Sequence, residues 1–283
     1  MEKICAKIIA IDLDDTLLRD DLSISSYTCD ILSRVAASGI YVIPASGRTT
    51  DGICRFADKL GLIGLPGGRY VIGQNGSEIF DRQEEKTIFS AVIPKNIVPM
   101  LEKIIANSSA SVTVYDKGEI FTSKDTPWSR LDQKLTGFKF NPVEDFFRFL
   151  QEKSFHKIVI GDDREKLREL KPKLQEALGD KAIMCFSKPY FLEILPLEGG
   201  KGNALRHLTE QILGFSSHDV MCFGDSFNDE TMLKYAFNSV AMVNGGEEIR
   251  ALSRFITDFS HNDDGVARFL EKHLDFNKSV IER

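Results

Sequence analysis

No apolar stretch in these 283 residues approaches the roughly 20 needed to cross a bilayer, which argues against a membrane span. The first apolar run, Ile8 to Ile11, stops at Asp12 with no small-residue cleavage site after it, so no signal peptide is expected. Positive charge is in deficit: 36 Lys and Arg against 42 Asp and Glu give a formal net charge of −6. Nucleic-acid and anionic-membrane binding need a basic surface, so neither is expected. Cysteine is scarce and odd in number, at Cys5, Cys29, Cys54, Cys185 and Cys222, with no C-x-x-C pair. That excludes a disulfide framework and points to buried thiols in a reducing, cytoplasmic setting. His156, His207, His218, His261 and His273 are scattered without metal-site spacing. No internal repeat or low-complexity segment occurs.

Several familiar motifs are also missing. The Gly-rich stretch from Gly61 to Gly76 contains no G-x-G-x-x-G between a strand and a helix. Gly199-Gly200-Lys201-Gly202 lacks the upstream Gly and the following Ser or Thr of a P-loop. No G-x-S-x-G elbow is present, which leaves a Ser–His hydrolase unsupported.

What remains is a chain long enough for two domains, or one domain with an insertion, and 42% hydrophobic. Ile8-Ile9-Ala10-Ile11 reads as a strand buried on both faces, as in a parallel sheet. Helices at 25–38 and 50–60 alternate with strands at 40–44 and 70–73. The alternation predicts an α/β fold with a doubly wound, mostly parallel, Rossmann-like core sheet. From about Arg82 to Leu192 the character changes. Strands at 111–115 and 157–160, with helices at 94–107, 143–152 and 164–177, predict an inserted α+β domain. Phe146, Phe147, Phe149 and Leu150 read as a helix's packing face. The alternating pattern then returns, with helices at 202–213 and 229–236 and strands at 220–223 and 239–243. The expected layout is a core of 1–81 and 193–283 around an insertion of 82–192. Phe255 to Phe276 reads as terminal core packing.

Ligands of open α/β sheets bind beyond the carboxyl ends of the strands. The first strand ends in Asp12, Asp14, Asp15 and Thr16. The second ends in Ser46, Gly47 and Arg48. The strand before Gly224 ends in Asp225, Asn228 and Asp229. Packed carboxylates raise one another's pKa values, and a divalent cation resolves the conflict. Oxygen ligands without suitably spaced His or Cys favour Mg²⁺ over Zn²⁺.

These residues carry a family resemblance. Asp12-Leu13-Asp14-Asp15-Thr16-Leu17-Leu18 resembles the first motif of the haloacid dehalogenase-like phosphatases. Ser46-Gly47-Arg48 resembles the second, Lys201 in its Gly-rich setting the third, and Gly224-Asp225-Ser226-Phe227-Asn228-Asp229 the fourth. An insertion between the second and third motifs is similar to the Cof-type subgroup with a C2B cap. The resemblance implies a hydrolase acting on the phosphomonoester of a small metabolite, such as a sugar phosphate or a phosphorylated cofactor precursor. Asp12 would be the nucleophile, forming an aspartyl-phosphate, and Asp14 the general acid and base. Asp12, Asp14 (through its carbonyl), Asp225 and Asp229 would hold Mg²⁺. Ser46, Gly47, Lys201 and Asn228 would bind phosphate. Gly is common in the family where Asp15 stands, and Pro where Thr49 stands; neither change removes a catalytic group.

For some of these residues a structural role competes. Ser46 and Asn228 could cap helices, and Arg48 could form an ion pair instead of touching substrate. Arg48, Asn75, Gly76 and Trp128 are the secondary substrate candidates, with Asp125, Arg130, Lys188 and Tyr190 behind them. Two other functions fit the scaffold: a sugar phosphomutase or phosphotransferase, and a non-catalytic sensor of a phosphometabolite. The expected partner is a small phosphorylated metabolite, and the expected assembly a monomer or homodimer.

Overall fold

The computed structural model describes residues 3–275. Phe276 lies outside them. The chain opens with β1 (Ile8–Ile11), α1 (Ser26–Ala37), β2 (Tyr41–Pro44), α2 (Thr50–Lys59), β3 (Tyr70–Gly73), β4 (Glu78–Asp81) and β5 (Lys86–Ser90). It continues through α3 (Val98–Ile105), β6 (Ser111–Asp116), β7 (Glu119–Thr122), α4 (Pro127–Thr136), β8 (Lys139–Pro142), α5 (Phe146–Glu152), β9 (Ile158–Gly161), α6 (Arg164–Leu178), β10 (Ala182–Lys188) and β11 (Phe191–Pro196). It closes with α7 (Lys201–Arg206), β12 (Val220–Gly224), α8 (Glu230–Tyr235), β13 (Asn238–Ala241), α9 (Glu247–Leu252), β14 (Phe255–Ile256) and α10 (Gly265–His273). Two compact units result. One takes the chain up to Ser90 and from Gly200 onward, and the other is Ala91–Gly199.

In the first unit a five-stranded sheet runs in the order β14-β13-β12-β1-β2, with every pair parallel. Side chains alternate across a strand, so an all-apolar strand needs a core on each side. Ile9, Ile11, Met221 and Phe223 face one core with α1, α2 and α10. Ile8, Ala10, Val220 and Cys222 face the other with α7, α8 and α9. Each fully buried Ile or Leu contributes about 1.5–3 kcal/mol by leaving water. The helix α1 starts where the sequence signals it, with the Ser25 hydroxyl accepting from the Thr28 amide at 3.0 Å. The helix expected over 202–213 is less regular: α7 ends at Arg206, and His207–Ile212 winds as a π-helix.

The unit boundaries differ from the sequence expectation. The charged run Arg82 to Lys86 marks a hairpin turn and not a domain change. Its second strand, β5, pairs with β4, and β4 with β3, which extends the first unit to Ser90. At the far end β11 pairs with β9 and β10, so the strand lies wholly in the inserted unit and the return falls at Gly200.

The inserted unit is built on a six-stranded sheet, order β10-β11-β9-β6-β7-β8, antiparallel except between β7 and β8. Val112, Val114, Ile158, Ile160, Leu192 and Ile194 pack one face against α3, α5 and α6. Phe146 and Leu150 are in that core, and Phe147 and Phe149 pack against it.

By strand alternation the other face carries Tyr115, Lys157 and Glu193. Lys157 pairs with Glu193 at 3.2 Å, and the Tyr115 hydroxyl donates to Asp132 of α4 at 2.6 Å. Burial pushes the Asp132 carboxyl up to about 6, although Tyr115 and Lys157 oppose the shift. The unfolded chain releases this proton near 3.8, so between about pH 4 and 6 the native state holds the extra proton. Stability therefore falls as pH rises through that window. Asp132→Asn is neutral throughout and keeps an acceptor for Tyr115. We expect the variant to be more stable than wild type by about 1–3 kcal/mol at pH 8, with no gain at pH 4, in thermal melts at the two pH values.

Candidate active site

The strands β2, β1 and β12 lie side by side and parallel, so their carboxyl ends share one sheet edge. Ile11 is in register with both Pro44 and Phe223. Asp12 therefore stands between the start of the Ser46 loop and Gly224-Asp225. The Asp12 amide donates to the Phe223 carbonyl at 3.1 Å, and the Ala45 amide to the Ile11 carbonyl at 2.8 Å.

Asp12, Lys201 and Asp229 form a buried chain of charge. The Lys201 Nζ donates to Asp12 Oδ1 at 2.5 Å and to Asp229 Oδ1 at 2.6 Å. Lys201 and Asp229 are wholly buried and Asp12 is only 4% exposed. The other oxygen of Asp229 accepts from the amides of Asp225 and Ser226 at 3.1 and 3.2 Å. Asp229 thus fixes both the lysine and the loop that carries Asp225. The hydroxyl of Thr16 donates to Asp225 Oδ1 at 3.0 Å.

Burial, reinforced by Asp229, pushes the Asp12 carboxyl well above the ordinary range, against the pull of Lys201. Burial and then Asp229 push Asp225 up to about 7. Burial disfavours the Lys201 ammonium, yet Asp12 and Asp229 outweigh it and hold the proton more tightly than usual.

One carboxylate oxygen from each of Asp12, Asp225 and Asp229 lies within 4.8 Å of the others. Three carboxylates against one ammonium leave an excess of negative charge in a site sheltered from water. Burial raises the Asp12 and Asp225 carboxyls first, and this repulsion adds to the shift. A divalent cation would remove the excess, and an all-oxygen donor set suits a hard one. The residues present therefore fit a bound divalent cation.

Asp14 is not in that cluster. Arg48 grips its carboxylate in two places, Nε to Oδ2 at 2.9 Å and Nη2 to Oδ1 at 2.6 Å. Of the two roles expected for Arg48, ion pair or substrate contact, the structure shows the ion pair, with two of its donors on Asp14. Ser46 is buried, with its Oγ accepting from the Arg48 amide at 3.2 Å. It does not cap α2, whose N-cap is Thr49.

Asn75 joins the loops. Its amide donates to the Ser46 carbonyl, and its carbonyl accepts from the Gly200 amide, each at 3.0 Å. Its side-chain oxygen accepts from Asn228 Nδ2 at 3.1 Å. The oxygen of Asn228 accepts from the Ser226 hydroxyl at 2.6 Å, and Ser226 with Asp229 forms the capping box there. A Cβ on Gly47 would meet the Asn75 amide group at 2.9 Å. Gly76 was expected to orient substrate. Its φ of +86° and a hypothetical Cβ only 2.2 Å from the Gly200 backbone show that the close packing there also requires glycine.

Trp128 lies in α4 of the inserted unit. Its ring stacks on Tyr190 with centroids 5.3 Å apart, and its Cβ faces Gly161. Asp125 and Arg130 pair with each other at 2.5 Å, and the Arg130 guanidinium lies over Phe140. Lys188 ends β10.

Sequence reasoning gave Thr16 no role, although it stands inside the first motif. It passed over Asn244 entirely. Asn244 donates to the Asp15 carbonyl at 2.8 Å. It follows β13, another parallel strand, and the strand-end rule applied there would have found it.

A parallel sheet with a buried Asp–Lys–Asp chain at its carboxyl edge puts charged groups where ligands of such sheets bind. The haloacid dehalogenase-like hydrolase family matches residues 9–270. The chain belongs to that family and to its Cof-type branch, and it is a hydrolase of phosphoric monoester bonds. Among its relatives is the Bacillus subtilis protein YxeH, which bears the provisional name of a phosphatase. It is 30% identical over 272 residues, covering 94% of this chain and 97% of the relative. The HMP-PP phosphatase of Escherichia coli O157:H7 is 29% identical over 272 residues, covering 96% and 97%. The crystal structure of a haloacid dehalogenase-like hydrolase from Bacteroides thetaiotaomicron shares 30% identity and superposes with a TM-score of 0.81, covering 94% of this chain and 99% of that one. Among the described residues no helix is long and apolar enough to cross a membrane.

Proposed function

We propose that this chain is a Mg²⁺-dependent phosphatase of a small phosphorylated metabolite, working through a phosphoryl group carried on Asp12. The observation that supports it best is the buried Asp12–Lys201–Asp229 chain beside Asp225, with its surplus of negative charge.

In this reading Asp12 attacks phosphorus and the bond to the leaving oxygen breaks. Asp14 gives that oxygen its proton, so the alcohol departs neutral. Asp14 then takes a proton from water, whose oxygen attacks the aspartyl-phosphate and frees Asp12. Arg48 sets the direction of the Asp14 carboxylate, since a bidentate guanidinium fixes its plane. Lys201 offsets charge on Asp12 and on the phosphoryl oxygens. Ser46 and the Gly47 amide donate to those oxygens. Asn228 and Asn75 hold the loops in register with one another. Asp12, Asp225 and the Asp14 carbonyl would hold the cation, while Asp229 acts from behind through Lys201 and the Asp225 loop. When bound, the cation neutralises charge between nucleophile and phosphate.

The inserted unit would act as the C2B cap that selects the leaving group, with Trp128 and Tyr190 as its aromatic candidates. The relatives' names favour hydrolysis over a mutase or a sensor.

The test is phosphate release from a panel of phosphorylated metabolites, with Mg²⁺ and with EDTA. The panel holds sugar phosphates, pyridoxal phosphate and HMP-PP. We expect turnover with Mg²⁺ on at least one substrate, and a loss of about 100-fold or more in EDTA. Equal turnover in EDTA would remove the metal from the reading. Binding without release would favour the sensor.

A further inference from the structure

We propose that Asn244 is a positioning residue for the catalytic loop, holding Asp15 in a left-handed backbone conformation that the loop needs. The inference rests on the catalytic reading above.

The loop after β1 folds back on a single carbonyl. Leu13 O accepts from the amides of Leu17 at 2.9 Å, Leu18 at 2.8 Å and Thr16 at 3.4 Å. Asp14 and Asp15 are the two residues inside the tightest of these turns. Asp15 has a φ of +61°. A turn of this kind favours Gly at that position, because an L-residue there brings Cβ against its own backbone. Such strain persists only where the surroundings over-determine it.

The surroundings here are specific. Asn244 Nδ2 donates to the Asp15 carbonyl at 2.8 Å, and Asn244 Oδ1 accepts from the His261 amide at 3.2 Å. Both ends of the side chain are used, so its orientation is fixed. The Asp15 carboxylate lies 3.9 Å from His261 Nε2, which also meets Asp20 Oδ1 at 2.9 Å. Farther along, Asn262 and Asp20 exchange two hydrogen bonds of 3.1 and 3.0 Å, and Arg19 pairs with Asp264 at 3.1 Å. The segments around residues 244 and 261–264 grip the loop from Asp15 to Asp20.

The gripped carbonyl belongs to the peptide that joins Asp15 to Thr16. Thr16 donates to Asp225, and Asp14 directly precedes Asp15. Turning that peptide would swing both functional neighbours. Asn244 is exposed, so trimming it leaves no cavity in the core.

The test is a cycle of four proteins: wild type, N244A, D15G and D15G/N244A. Glycine needs no help at positive φ, so N244A should matter less beside D15G. We expect N244A to lower kcat by about tenfold or more, with KM changed less than about threefold, and the same change in the D15G background to cost less than about threefold. A merely structural contact would lower the melting temperature and leave kcat alone. Unchanged kcat in N244A, or equal losses in both backgrounds, overturns the proposal. Amide hydrogen exchange of Leu17 and Leu18 in the metal-free proteins reports on the loop without catalysis. It should quicken in N244A and far less in D15G/N244A. Were the wild type to release no phosphate, an altered exchange pattern would still uphold the clamp while the catalytic reading fell. Unaltered exchange would sink the clamp.

Discussion

Asp12→Asn should lose phosphate release by about 10⁴-fold or more while the protein remains folded, because a group that forms the covalent intermediate has no substitute in the site. The two halves of that result come from different parts of the geometry. Asparagine matches aspartate in shape, and its oxygen can still accept from Lys201. Lys201 also keeps Asp229 at 2.6 Å, so the ammonium is not stranded. Burial and Asp229 already press on the Asp12 carboxylate, and Asp225 and Asp14 add to the repulsion. Removing its charge relieves that repulsion. The melting temperature of the metal-free variant should therefore equal or exceed that of wild type. The extra stability that wild type gains from Mg²⁺ should shrink, since ligand stabilisation scales with affinity for the native state. Turnover within tenfold of wild type would remove Asp12 as the nucleophile. A large fall in the metal-free melting temperature would show that Lys201 depends on Asp12 more than the two distances imply.

The elements that place this site were legible because they are repetitive. Ile8 to Ile11 has no polar face, which forces it between two layers. The acids that follow it have no reason to cluster unless something binds them. The same logic found Ser46 and Asp225 at the ends of neighbouring strands. Roles that depend on side-chain direction were not legible. Nothing in the spacing of Asp14 and Arg48 says that the guanidinium turns onto that carboxylate. Nothing around Gly76 separates a substrate contact from two backbones crossing, because both favour glycine. Ser46 could have capped α2 until the helix was seen to start after Thr49. The unit boundaries were misplaced for a related reason. The β4–β5 hairpin sends Ile79 into the core and packs Ile88 and Phe89 against it, but its charged turn hides that continuity, so composition shifted before the fold did.

Lys201→Met separates structure from chemistry in a way that Asp12→Asn does not. Lys201 is among the largest fully buried side chains of the described residues, and two carboxylates neutralise it. Methionine has nearly its length and no charge. The variant leaves Asp12 and Asp229 facing each other without a cation between them. Breaking a buried pair in this way costs about 3–5 kcal/mol, because the charges that remain are uncompensated. The loss should be smaller at low pH, where protonation removes the conflict. That direction follows from the upward shift of Asp12, whose proton binds more tightly in the native state. Activity should fall by about 10³-fold, comparable to losing one preorganised charge at a developing anion. Adding Asp229→Asn removes the second uncompensated charge. The double variant should recover most of the lost stability and none of the activity, as measured by thermal melts and kcat at saturating Mg²⁺. Recovery of both together would mean that Lys201 serves only the fold. Recovery of neither would mean that Asp229 holds the Asp225 loop through its two amide bonds more than it balances the lysine.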